Sequence, residues 1–183
     1  MIKLSDFLFD HLHRAGFAHA FLISGGGIIH LVDSIGKSKI SYICNHNEQA
    51  SAVAAEAYSR IKNGLGLCIV TTGPGSTNAI TGLIGAWLDS IPVLFISGQI
   101  KQETIADYSK LRQLGDQEVN IIDMVKPVTK YAVTITNPHE IQYHIDKALY
   151  ISKSGRPGPV WINIPLDVQG ANISKKDLKK FNI

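Results

Sequence analysis

The sequence predicts a three-layer α/β domain: a doubly wound, mainly parallel six-stranded sheet with helices on both faces. Short runs rich in branched apolar residues recur along the chain, and segments of helical period separate them. These runs are apolar throughout, not alternating, which marks strands buried on both faces of a parallel sheet. The loops with unusual composition, SGGG, NHNE, TTGPGSTN and SGQ, each follow a strand, so they converge on one sheet edge, where ligands of such sheets bind.

Taken in order, Ser5 is placed to cap a first helix carrying Phe7, Leu8 and Leu12 on one face and ended by Gly16. Residues 18–23 (AHAFLI) form a strand, and Ser24-Gly25-Gly26-Gly27 turns the chain into a short helix that stops near Gly36. Residues 40–44 (ISYIC) form the second strand. Residues 48–62 then place Ala50, Val53, Ala54, Ala57, Tyr58 and Ile61 on one helical face, with Asn47 as cap. Residues 67–71 (LCIVT) lead into Thr72-Gly73-Pro74-Gly75, a helix over 76–89, and a fourth strand at 92–97 (PVLFIS). The stretch from Gly98 to Asp116 is polar and aperiodic, the kind of long loop that is usually functional. A strand at 130–134, a helix opened by Asn137-Pro138 and running to Ser152, and a strand at 159–164 complete the set. Residues 1–170 thus read as one domain, and the polar residues 171–183 as a linker-like tail.

Bulk composition narrows the function classes. The chain has 183 residues, 45% hydrophobic and 18% charged, as in a globular domain. Eighteen basic against fifteen acidic residues leave a net charge of only +3, and Lys175, Lys176, Lys179 and Lys180 gather in the tail. That pattern is a solvated tail, not a nucleic-acid-binding face. Cys44 and Cys68 lie in apolar runs and read as buried thiols of a reducing compartment. No apolar run is long enough to span a membrane, and Asp6, Asp10 and Arg14 interrupt the N-terminus where a signal peptide would be apolar. A cytoplasmic location is expected.

Among the loops, Glu48 stands where a buried strand ends and an alanine-rich helix begins. On its own it could be no more than an acid stabilised by the helix dipole. Gly73-Pro74-Gly75 lets a backbone approach a ligand closely, or is simply a rigid turn with Ser76 as helix cap, and it lacks the lysine of a Walker loop. The SGGG loop misses the dinucleotide fingerprint, because His30 stands at its last position. His11, His13 and His19 lack partners at metal-ligand spacing, so no metal site is expected on this chain.

Taken together and in order, SGGGIIHLVDSIG, NHNEQASAVAAEAYSR, CIVTTGPGSTNAITGLIGAWLDSIPVLFISGQ and GRPGPVWINIPLDVQ resemble the N-terminal pyrimidine-binding (PYR) domain of thiamine-diphosphate enzymes of the acetolactate synthase and pyruvate oxidase group. The resemblance covers nearly the whole chain to Gly170, and its sugar- and polysaccharide-associated members are the most similar in the SGGGIIHL and RQLGDQEVNI segments. It implies that Glu48 hydrogen-bonds N1′ of the aminopyrimidine and so promotes loss of the C2 proton of the thiazolium ring. It further implies that Ser24, Gly25 and Gly26 line the thiazolium region and that Thr72, Pro74 and Asn78 shape the pyrimidine pocket. Gln117 is implied to face the substrate. The sequence departs from the family at Asn47, where histidine is usual, at Ala57, where glycine is common, and at Asp116, where an aromatic residue often stands.

The activity so implied is decarboxylation of a 2-keto acid and transfer of the resulting acyl-anion equivalent to a second carbonyl. The resemblance assigns Mg2+ and the cofactor's diphosphate to a C-terminal domain carrying Gly-Asp-Gly, a motif not found here, and leaves room for FAD in a longer protein. A homodimer or homotetramer through the PYR face is expected, with the diphosphate-binding domain of a neighbouring subunit completing each site. The chain alone is therefore expected to be inactive, whether it is a piece of a three-domain protein or the PYR subunit of a split 2-keto acid decarboxylase. A non-catalytic assembly module on the same fold is the other alternative.

Overall fold

A computed structural model describes residues 1–182 and carries the predicted sheet. Its elements are β1 (Ile2–Lys3), α1 (Leu4–Arg14), β2 (His19–Leu22), α2 (Ile29–Lys37), β3 (Ser41–Cys44), α3 (Glu48–Lys62), β4 (Gly66–Val70), α4 (Pro74–Asn78) and α5 (Ile80–Leu88). They continue as β5 (Val93–Gln99), α6 (Ile121–Val125), β6 (Tyr131–Thr134), α7 (Ile141–Lys153), β7 (Val160–Pro165), α8 (Leu166–Gln169) and β8 (Asn172–Ile173). Six strands form one parallel sheet in the order β3-β2-β4-β5-β7-β6. The central strands β4, β5 and β7 are buried at every position, which explains why their sequences are mostly apolar.

Each sheet face has its own core. On one, α1, α2 and α7 bury Leu8, Leu12, Leu31, Ile35, Ile145 and Ala148 against Ile69, Ile96 and Ile162. On the other, Ala52 and Ala55 of α3 and Leu83 and Ala86 of α5 cover Cys68, Val70, Phe95 and Trp161. The Phe95 and Trp161 rings stack with centroids 5.1 Å apart. Trp161 also donates its indole N–H to Ser97 Oγ (2.7 Å), and Ser97 donates to Asn163 (2.8 Å), so the polar groups of this layer are partnered.

The structure alters several sequence expectations. Ser5 is not a cap: Lys3 holds that position without a side-chain bond, and Ser5 is buried, accepting a hydrogen bond from Ser34 Oγ (2.9 Å). The helix expected over 76–89 begins earlier, at Pro74, and breaks at Ala79 into α4 and α5. Ser76 donates back to the Thr71 carbonyl (2.6 Å) and caps nothing. Cys44 is exposed, because β3 is the edge strand and shows all four residues to solvent; only Cys68 is buried.

Helix α3 has the expected bounds and the expected cap, Asn47 Oδ1 accepting from Gln49 N–H (2.7 Å). Its orientation is the reverse of the periodicity. Ser51, Ala52, Ala55, Glu56 and Ser59 face inward, while Val53 and Ile61 remain 47% and 84% exposed. The inward face works because its polar members have partners. Ser59 donates to the Gly64 and Pro92 carbonyls (2.7 and 2.8 Å), and Glu56 accepts from Arg60 Nε (2.6 Å). The tail beyond Gly170 reads as a linker by composition but docks: β8 pairs antiparallel with β1, Leu178 is buried, and Phe181 packs on Tyr143 and Tyr150. Lys179 joins it by an ion pair with Glu140 (2.7 Å).

Candidate active site

The sheet order reverses direction between β2 and β4, and the crevice outside their carboxyl ends is where a doubly wound sheet offers a ligand site. Two glycine loops meet there. Gly27 N–H donates to Thr71 Oγ1 (3.0 Å), and the Gly27 carbonyl accepts from the buried Gln169 side chain (2.7 Å). Gly25 is pressed so close that a β-carbon would stand 2.5 Å from Thr71 Cβ. Ser24 and Gly26 stay exposed beyond this anchor, and Ser24 and Gly25 border a shallow cleft with Ile29, Val32 and Asp33.

The loop after β4 needs glycine at Gly73, where φ is +62° and a β-carbon would overlap the carbonyl oxygen of Gln117. Thr72 is buried and donates to Gln99 Oε1 (2.8 Å), Pro74 is exposed at the first turn of α4, and Asn78 ends that helix. From this end Asn78 Nδ2 donates to Glu48 Oε2 (3.0 Å). Glu48, half-buried, is the first residue of α3. Its other oxygen, Oε1, stands beside Gly75, where an added β-carbon would lie 3.1 Å away. The carboxylate forms no ion pair among the described residues, so its one recorded partner is a neutral amide.

The structure therefore brings Glu48, Asn78, Pro74 and Thr72 together around one loop, with Gly25 next to its root at Thr71. Gln117 joins them through its backbone, against Gly73, while its side chain is exposed. The sequence reading assigned no role to half-buried Thr71 or to the buried Gln99, Glu118 and Gln169, the polar side chains that hold these loops. Gln99 is the clearest: its Oε1 accepts from Thr72 and from Ile100 N–H (3.0 Å), and its Nε2 donates to the Val119 carbonyl (3.0 Å). Its position after Gly98 at the end of a buried strand is the only signal that could have found it. The described residues contain no group of three or more His, Cys, Asp or Glu able to hold a metal ion. No described helix is long and apolar enough to cross a membrane.

Residues 2–124, which contain both glycine loops and Glu48, match the family described as thiamine pyrophosphate enzyme, N-terminal TPP binding domain. The chain belongs to this family. Its relatives include the acetolactate synthase of Arthrospira platensis, 38% identical over 170 residues, which are 91% of this chain and 28% of that protein. The acetolactate synthase large subunit of Cyanidium caldarium is 36% identical over 173 residues, 92% of this chain and 28% of its own. A probable acetolactate synthase large subunit of Methanocaldococcus jannaschii is 33% identical over 182 residues, 29% of its length. The chain thus spans a little over a quarter of the curated relatives it matches. Membership implies thiamine diphosphate as cofactor, and the donor set of this thiamine pyrophosphate enzyme domain fits it: the half-buried Glu48 carboxylate has no ion pair among the described residues, and with Asn78 on Oε2 its Oε1 is left to meet a ring nitrogen.

Proposed function

We propose that this chain forms the pyrimidine side of the active site of an acetolactate synthase-like carboligase, which decarboxylates a 2-keto acid and joins the retained fragment to a second carbonyl. Bound thiamine diphosphate supplies the electron sink for that decarboxylation. Glu48 would hold the aminopyrimidine by sharing a proton with its N1′, while Asn78, donating to Oε2, fixes the direction of the carboxylate. Thr72 and Pro74 shape the ring pocket, Ser24, Gly25 and Gly26 line the neighbouring loop, and Gln117 faces the substrate. Mg2+ and the diphosphate fall to a separate domain of a neighbouring subunit, and FAD, where bound, to another region of a longer protein.

The observation that carries this reading is the Glu48 carboxylate at the carboxyl edge of the sheet, held by a neutral amide and bordered by glycine. A carboxylate serving only as a helix-start acid needs neither feature. The outer faces of α3 and α5, with Val53, Ile61, Ile84, Trp87 and Leu88 exposed, support assembly of two or four copies, which would cover them.

Glu48→Gln keeps the shape and the Asn78 contact but cannot share a proton in the same way. In the complete enzyme, turnover of a 2-keto acid should fall by orders of magnitude while the fold, followed by circular dichroism, is unchanged. A Glu48→Gln enzyme with an unaltered rate would refute the catalytic assignment of Glu48.

A further inference from the structure

The long segment after β5 has little to hold it by packing: Leu111 and Leu114 are exposed, and the turn Asp107–Ser109 is made of local polar bonds. At its end lies one buried carboxylate. Glu118 Oε1 accepts from Ala106 N–H (2.7 Å), and Oε2 accepts from Leu114 N–H (2.8 Å) and Gly115 N–H (3.0 Å). Backbone donors from both ends of the loop therefore converge on one side chain, and the Tyr108 hydroxyl lies beside the carboxylate and helps to keep it charged. Charge-assisted bonds of this kind are the strong ones, and a buried carboxylate without them would be costly.

The residue before it is Gln117, whose φ of +54° is unusual for a side chain of that size. Such a conformation persists only where the surroundings enforce it. Here the Gln117 carbonyl sits over Gly73, itself at φ +62°, and Val119 on the far side is tied to Gln99 and through it to Thr72. We propose that Glu118 is a positioning residue: its carboxylate ties residues 106–118 into an ordered loop and so presses Gln117 against the glycine turn of the active site. The consequence for substrate rests on the proposed function, in which Gln117 faces the 2-keto acid; the loop tie does not.

The two are tested separately. Glu118→Gln is nearly isosteric but keeps one acceptor oxygen and puts an NH2 against the donors. In this chain it should speed amide exchange at Ala106, Leu114 and Gly115 by about tenfold or more and shift the Gly73 resonance. Glu118→Asp, with both oxygens, should restore part of the protection. Tyr108→Phe, a change at a half-exposed ring, should fold normally and give a smaller increase. Unchanged exchange in Glu118→Gln, or in Tyr108→Phe should Glu118→Gln not fold, overturns the proposal.

In the complete enzyme, Glu118→Gln should raise the KM for the 2-keto acid about tenfold while affinity for thiamine diphosphate, read by tryptophan fluorescence, stays the same. Faster exchange with unchanged KM and kcat overturns the positioning role. An enzyme with no thiamine-dependent turnover refutes the proposed function and leaves the exchange result standing.

Discussion

Gly75→Ala measures how tightly Glu48 and the two glycine loops are fitted together. The new β-carbon would lie 2.5 Å from Thr71 Cγ2 and 3.1 Å from Glu48 Oε1. The first distance is impossible without movement, and Thr71 is not free to move, since its hydroxyl accepts the Gly27 N–H (3.0 Å). Overpacking costs about 1–3 kcal/mol and loss of that hydrogen bond about 1 kcal/mol, while alanine regains about 1 kcal/mol as a helix former. The net loss is then about 1–3 kcal/mol, which for a domain of this size lowers Tm by roughly 3–10 °C. Thermal unfolding by circular dichroism measures the shift, and amide exchange at Gly27 reports whether Thr71 has let go. A Tm equal to or above that of the parent, with Gly27 still protected, would show that the close approach at Gly75 is not a constraint.

Thiol reagents should distinguish the cysteines: exposed Cys44 reacts within the native protein, whereas Cys68, whose thiol is pushed up by burial and then by the nearby Glu48 charge, reacts only on unfolding. Two fast-reacting thiols in native mass spectrometry would contradict the burial of β4. Burial pushes the Glu118 carboxyl up, but the bonds from Leu114, Tyr108, Ala106 and Gly115 outweigh it and hold it below its ordinary value near 4.5. A carboxyl lowered on folding contributes stability that is present above that ordinary value and lost as pH falls through the folded one. The amide resonances of those loop residues should therefore titrate with a midpoint below 4.5, and a midpoint above it would reverse the sign. If copies assemble through the outer face of α3, the double variant Val53→Lys and Ile61→Lys should elute as monomer in light-scattering chromatography with unchanged helicity. Persistence of the dimer would move the interface elsewhere.

Much of this was legible in the sequence, and the failures have physical causes. The buried strands were readable because a sheet covered on both faces demands apolar runs such as VLFI. Glu48 and the GPG turn stood out only in company with the other loops, since each alone reads equally as a helix-start acid and a rigid turn. The inward face of α3 was not. Periodicity assigns the apolar stripe to the core, yet Ser59 and Glu56 bury well through carbonyl and Arg60 contacts that a one-dimensional pattern does not contain. Edge exposure misled in the same way at Cys44, since β3 differs from its neighbours only by its place in the strand order. Helix α6 is five residues long, too short for a period to register. Gln99 and Gln169 reach groups far along the chain, and Glu118 gathers backbone donors of an aperiodic loop; such pairings exist only after folding.

Helices α3 and α5 lie nearly backbone to backbone where Gly82 faces Ala52, a β-carbon at Gly82 meeting that of Ala52 at 2.6 Å. Glu48 opens the same helix one turn earlier, so the position of the carboxylate is set in part by how closely these two helices can meet. A single methyl group added at Gly82 would press on α3 within about a turn of the residue that carries the carboxylate. Variation that tunes the chemistry is thus to be sought behind the helix as well as in front of it.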